Sequence, residues 1–150
     1  MNRCLRIIAA ALCAFALAAA HAQSIAQGGA ADDTLYRDLG GNAGLVALMD
    51  DFMPRLLADA RMHPFFKEVD QADLKAKLVT QFCQVSGGPC VLKETDMRKK
   101  HDGFDINRGD FNRLVEVLQQ SMDARGIPFG TQNRLLAKLA PMHREIVNVP

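Results

Sequence analysis

Apolar residues recur at three- and four-residue intervals through most of the chain beyond residue 34. Leu45, Met49, Phe52, Met53, Leu56 and Leu57 keep this spacing, which predicts an amphipathic helix from about Ala43 to Ala58. Pro54 falls inside it, where a kink is expected. Gly40-Gly41 precede it and let a short first helix, Leu35 to Leu39, turn into it. Leu74, Leu78 and Phe82 are successive i, i+4 positions of a helix from about Asp70 to Val85, which Gly87-Gly88-Pro89 stop. Phe111, Leu114, Val115, Val117 and Leu118 mark a helix over Arg108–Ala124. Leu135, Leu136, Leu139, Met142 and Ile146 mark another over Thr131–Val147, after the Gly126-Ile-Pro128 break. No convincing alternating strand pattern occurs, so the fold class is all-α. The 91–107 segment accommodates only a short helix around Thr95 to His101, with Thr95 as N-cap. So long a connection in a small helical domain points to function.

The first residues follow a different pattern. Arg3 and Arg6 precede an uninterrupted apolar run, Ile7 to Ala19, and Ala20-His21-Ala22 supplies small residues around a cleavage point. A positive head, a short apolar middle and an A-x-A end describe a secretory signal peptide. The run is short of the ~20 residues needed to span a bilayer. The expected organisation is a signal peptide over 1–22, a flexible leader over 23–33 and one domain over 34–150, exported to the periplasm. No membrane association is expected after cleavage.

Export would remove Cys4 and Cys13 and leave Cys83 and Cys90. Two thiols in an oxidising compartment are a disulfide candidate; two free buried thiols are the alternative. A metal site is disfavoured, because no histidine or second C-x-x-C lies beside them. Lys and Arg total 18 against 17 Asp and Glu, so no charge excess recommends nucleic acid as a partner.

Phosphate-binding glycine loops, G-x-S-x-G and H-x-x-x-H motifs are absent from the sequence. His63, His101 and His143 are the histidines of the expected mature chain, and a single imidazole can hold a haem iron. The order and spacing of Leu35-Tyr-Arg-Asp-Leu-Gly-Gly41, Asp50-Asp-Phe52, Leu57-Ala-Asp59, Pro64-Phe-Phe66, Gly87-Gly-Pro89, Asp96-Met-Arg-Lys-Lys-His101 and Leu139-Ala-Pro-Met142 resemble a group I truncated haemoglobin over nearly the whole 35–147 span. That resemblance implies a truncated globin, a two-over-two helical sandwich around haem b, with His101 as proximal iron ligand and Met97 one turn before it on the same haem face.

The resemblance also implies a haem-wedging role for Phe66, a second-helix aromatic position for Phe52, and a distal wall of Leu74, Leu78 and Phe82. Burial in a core would equally explain these five phenylalanines and leucines. Two departures stand out. Met53 replaces the tyrosine usual in the family, and Leu78 replaces a frequent glutamine, so both common donors to a bound gas are missing. Gln81 is either a substitute donor or a polar residue at the pocket edge. Lys77 is either a distal sixth ligand or a rim residue that reaches solvent or a haem propionate. Arg98, Lys99 and Lys100 read by default as a solvated basic face, with a propionate contact by one of them as the alternative. The implied function is reversible binding of dioxygen or another diatomic gas, NO or CO, at a His-ligated iron. The rivals are a nitric oxide dioxygenase or peroxidase-like enzyme with an external electron donor, and a six-coordinate redox protein using Lys77. A haemless helical module is a third.

Overall fold

The computed structural model describes residues 32–93 and 96–150; the expected signal peptide and residues 23–31 of the leader lie outside them. Among the described residues eight α-helices follow one another: α1 (Thr34–Asp38), α2 (Gly41–Ala58), α3 (His63–Phe66), α4 (Gln71–Val85), α5 (Met97–His101), α6 (Arg108–Ala124), α7 (Phe129–Leu139) and α8 (His143–Ile146). No strand occurs among the described residues. Helix α2 packs on α4 and on α6, and α7 packs on both α4 and α6. The four long helices thus form the two-over-two sandwich.

The core explains why α2 is central. Leu45, Leu48, Met49 and Leu56 are essentially fully buried along its length, joined by Phe52 and Met53. They meet Val79, Phe82 and Cys83 of α4, Val117, Leu118 and Met122 of α6, and Leu135 of α7. Removing the side chain of Leu45 or Leu56 to Ala would therefore cost about 2–5 kcal/mol.

The expected boundaries shift where local chemistry intervenes. Helix α2 runs through Pro54, which is exposed, with Asp51 and Arg55 paired across that turn. The helix expected over Thr131–Val147 is three pieces. It starts at Phe129, after Pro128, and gives way at Ala140–Met142 to a 3₁₀ turn before α8. Pro141 is the cause, since it lacks the N–H that a continuous helix requires. Pro64-Phe-Phe66 lies with His63 in the helical turn α3. Thr95 lies outside the described residues, and the cap of α5 is Asp96, whose carboxylate accepts from the Lys99 N–H at 3.0 Å. Asp33, placed in the leader by sequence, belongs to the fold: it is the N-cap of α1 and pairs with Arg37 at 3.0 Å.

Helix α4 ends in a Schellman arrangement. The Gly88 N–H donates to the Cys83 carbonyl at 2.8 Å and the Gly87 N–H to that of Gln84 at 3.1 Å. Gly87 adopts φ 89°, and a Cβ there would also collide with the Asp32 carbonyl. This turn brings Cys90 back over the helix to form a disulfide with Cys83, Cα to Cα 5.7 Å. Closing so short a loop stabilises the fold by about 2.5 kcal/mol in the chain-entropy model. Cys90→Ala is accordingly expected to lower the urea midpoint, and dithiothreitol to lower that of the parent but not of the variant. An unchanged midpoint in Cys90→Ala would show that the bridge does not carry that stability.

Candidate functional site

Helix α4 has two working faces. Val79, Phe82 and Cys83 turn to the core, whereas Leu74, Lys77, Leu78 and Gln81 line a cavity of about 340 Å³. Across it stand Met97, Lys100 and His101 of α5, and Asp110, Phe111 and Leu114 of α6. Phe65 and Phe66 of α3, with Met62 before them, close one end. Leu92, Phe104, Ile106 and Ile146 complete the wall. The lining is overwhelmingly apolar, with a histidine opposite an aliphatic helix face.

The orientation of His101 is fixed by its own helix. Its Nδ1 lies 2.7 Å from the Met97 carbonyl oxygen, four residues back. A carbonyl can only accept, so Nδ1 carries the proton and Nε2 keeps the lone pair. This is the tautomer that metal-bound histidines adopt when a backbone carbonyl holds the other nitrogen. Met97 is buried beneath it. An apolar slot facing an imidazole with a directed lone pair fits a haem, so the residues present suit that group. His101 would hold the iron, and the apolar walls would contact the macrocycle.

Of the other residues singled out in the sequence, Phe66, Leu74, Lys77, Leu78, Gln81 and Met97 line this cavity together with His101. Phe52, Met53 and Phe82 do not; they are buried in the core at 3%, 6% and 4% exposure. Phe52 and Met53 belong to the core cluster that α2 shares with α4 and α6. Phe82 is displaced by helical drift. Each i, i+4 step rotates about 40°, so two steps from Leu74 carry a side chain from one face towards the next.

The polar groups near the cavity are already engaged. The Gln81 amide donates to the Met142 sulfur at 3.1 Å, a weak acceptor. Lys77 pairs with Asp73 at 2.8 Å on the rim and is more than half exposed. That contact holds the Lys77 side chain towards the start of α4. Lys100 lines the cavity, while Arg98 and Lys99 are exposed and are not part of its lining. His63 and His143 have structural surroundings. The Nδ1 of His63 lies 2.7 Å from the Leu57 carbonyl oxygen, and the His143 ring packs edge-on against Phe111 at 4.8 Å.

Two crossed ion pairs clamp the closed end of the cavity to α6. Asp59 meets Arg113 at 2.7 Å, and Arg61 meets Asp110 at 2.7 Å. The Arg113 guanidinium holds the Asp59 carboxyl below its ordinary range. For Asp110, burial acts upwards, but the Asn107 N–H and the Arg61 guanidinium outweigh it, so the net shift is also downwards. Carboxyls depressed in the folded state stabilise it above their unfolded pKa of about 4, and that contribution is lost as pH falls through the lower folded value. Arg113→Met should therefore lower the urea midpoint at pH 7, and the gap to the parent should narrow at pH 3. An equal gap at both values would contradict the role given to Asp59.

The sequence reading missed Phe104, Ile106 and Leu92, all in connecting segments, as well as Ile146. The signal was available, because apolar residues in an otherwise polar loop need a surface to cover.

An apolar slot between α4 and the α5–α6 side of a two-over-two sandwich, with one imidazole directed into it, defines a globin-type pocket. The bacterial-like globin pattern matches residues 34–148. A group 1 truncated hemoglobin, GlbN, of Mycolicibacterium paratuberculosis is 30% identical over 113 residues, covering 75% of this chain and 83% of the relative. That of Nostoc sp. is 26% identical, with 77% and 98% covered. The solved truncated hemoglobin from Tetrahymena pyriformis in its Fe(III) form superposes with TM-score 0.73 at 23% identity, covering 76% of this chain and 97% of that one. The chain belongs to the bacterial-like globin family, among the group 1 truncated haemoglobins, and this membership implies haem binding.

Proposed function

We propose that the protein holds one haem b in this cavity, with His101 as the proximal ligand, and reversibly binds a diatomic gas on the side of Leu74 and Leu78. The observation that carries this is the His101 Nδ1 contact to the Met97 carbonyl, which aims the Nε2 lone pair away from its own helix. When bound, the haem iron supplies the centre that takes up the gas. The chain's own residues do the rest. Met97, Phe66 and the aliphatic face of α4 would exclude water, and His101 would hold the iron. Lys100 and Lys77 are the cations on the cavity lining, where propionates would be met. The Asp73–Lys77 pair weighs against Lys77 as a sixth ligand. Reversible binding requires no electron donor in each cycle, whereas dioxygenase or peroxidase-like turnover would.

The test is to expose the purified, reduced protein in turn to carbon monoxide, dioxygen and nitric oxide. Reversible absorption changes with each gas are expected. A reduced spectrum that no gas changes would overturn the reading.

We further propose that the domain is exported to the periplasm. The Arg3/Arg6 head, the apolar run and Ala20-His21-Ala22 support this, as does the Cys83–Cys90 bridge, since such bonds persist in oxidising compartments. Protein recovered after export should begin near Gln23, with a mass about 2 Da below the dithiol form, the loss of two hydrogens on forming the bond. Cytoplasmic protein with two alkylatable thiols would contradict both parts.

A further inference from the structure

We infer that Asn148 is a positioning residue for His101, acting through a strap formed by the segment after α8; the inference rests on the proximal role proposed above. Helix α5 has only five residues, far fewer than an isolated helix needs to persist in water. Its final carbonyls have no partner within the helix. The loop that follows adds one long bond, from the Phe104 N–H to the His101 carbonyl at 3.3 Å. Asp102, Gly103, Phe104 and Asp105 are all exposed, and a Cβ on Gly103 would have no neighbour within 4 Å. Asp105 takes a left-handed φ of 50°, a conformation that seldom persists without support.

The support comes from the segment after α8. The Asn148 side-chain amide donates to the His101 carbonyl at 2.9 Å. The Asn148 backbone N–H donates to the Ile106 carbonyl at 3.0 Å, and that of Val149 reaches the same oxygen at 3.3 Å. The strap therefore grips the loop at both ends, at the histidine and at Ile106. Helix α8 also packs against α5, and its Ile146 lines the cavity beside Ile106. The carbonyl that Asn148 holds belongs to the ligand residue itself, so this one bond restrains the tilt of the α5 end that carries the imidazole. An apolar residue at 148 would leave that carbonyl with only the longer bond from the Phe104 N–H. An aspartate would place an acceptor against an acceptor.

Three variants test this in the holoprotein and in the haem-free protein. Asn148→Ala and Asn148→Asp remove the donor, and Asn148→Gln restores it on a longer arm. In reduced holoprotein, resonance Raman spectroscopy reads the iron–histidine stretch. The Ala and Asp variants should shift or broaden that band and speed haem dissociation about two- to tenfold, the worth of one net hydrogen bond. The Gln variant should recover much of both. In the haem-free protein, amide exchange over residues 97–106 should accelerate by a similar factor in Ala and Asp but not in Gln. An unmoved band and unmoved exchange in Ala and Asp would overturn the inference. His101→Ala separates the two claims. If the parent's band survives in that variant, the proximal assignment fails, while the exchange rates still decide whether Asn148 restrains α5.

Discussion

His101→Ala should lose haem almost completely during purification and show haem affinity reduced by more than about 100-fold. Even outer-shell partners of metal ligands are worth roughly 10–100-fold, and here the ligand itself is removed. The fold should survive, because His101 lies outside the main core cluster. Far-ultraviolet circular dichroism should therefore match the parent. The side chain removed leaves a space of imidazole shape beneath the cavity, so added imidazole should restore part of the haem spectrum. A variant that keeps haem with an unchanged ferrous spectrum would refute the assignment and redirect attention to Lys77 and Lys100, the other nitrogen donors on the wall.

Oxygen is expected to leave this protein fast. Bound dioxygen draws negative charge and is held by nearby hydrogen-bond donors, whereas carbon monoxide, nearly neutral, is not. The face of α4 towards the cavity offers Leu74 and Leu78, and the Gln81 amide is turned to Met142. A hydrogen bond to a charged group contributes about 1.5–3 kcal/mol, or roughly tenfold to a hundredfold in affinity. Leu78→Gln, which puts a donor on the wall, should slow oxygen release by about that factor and change carbon monoxide release much less. Met53→Tyr is a less direct way to add a donor, because Met53 is buried in the core and a larger ring there risks overpacking. Stopped-flow release measurements distinguish the cases. If the parent already releases oxygen slowly and Gln81→Leu speeds it, the amide has swung from Met142 to the gas, and the apolar-wall argument is wrong.

Much of this architecture can be read from residue periodicity. The apolar repeats of α2, α4 and α6 report burial directly, and burial is what those helices are for. Residues 74 to 82 show where periodicity stops being informative. A helix with two apolar faces looks uniformly apolar in sequence, so Leu78 on the cavity and Phe82 in the core are not separable without knowing which neighbour each face meets. Met53 shows the same limit: its side chain is buried in the cluster that α2 shares with α4 and α6. The last helix was legible as apolar spacing but not as three pieces, because Pro141 overrides the pattern locally. Asn148 carried no sequence signal. One polar residue after the final helix gains meaning only when the fold brings it to the His101 carbonyl, 47 positions away.

We propose that the cavity between α4 and α5 takes up one haem through His101. Titrating haemin into haem-free protein, followed by Soret absorbance, tests it most directly. A sharp break at one equivalent is expected in the parent, with the break lost in His101→Ala and retained in His63→Ala and His143→Ala. Absorbance that rises without saturation in the parent, or a break that His101→Ala leaves intact, would contradict it.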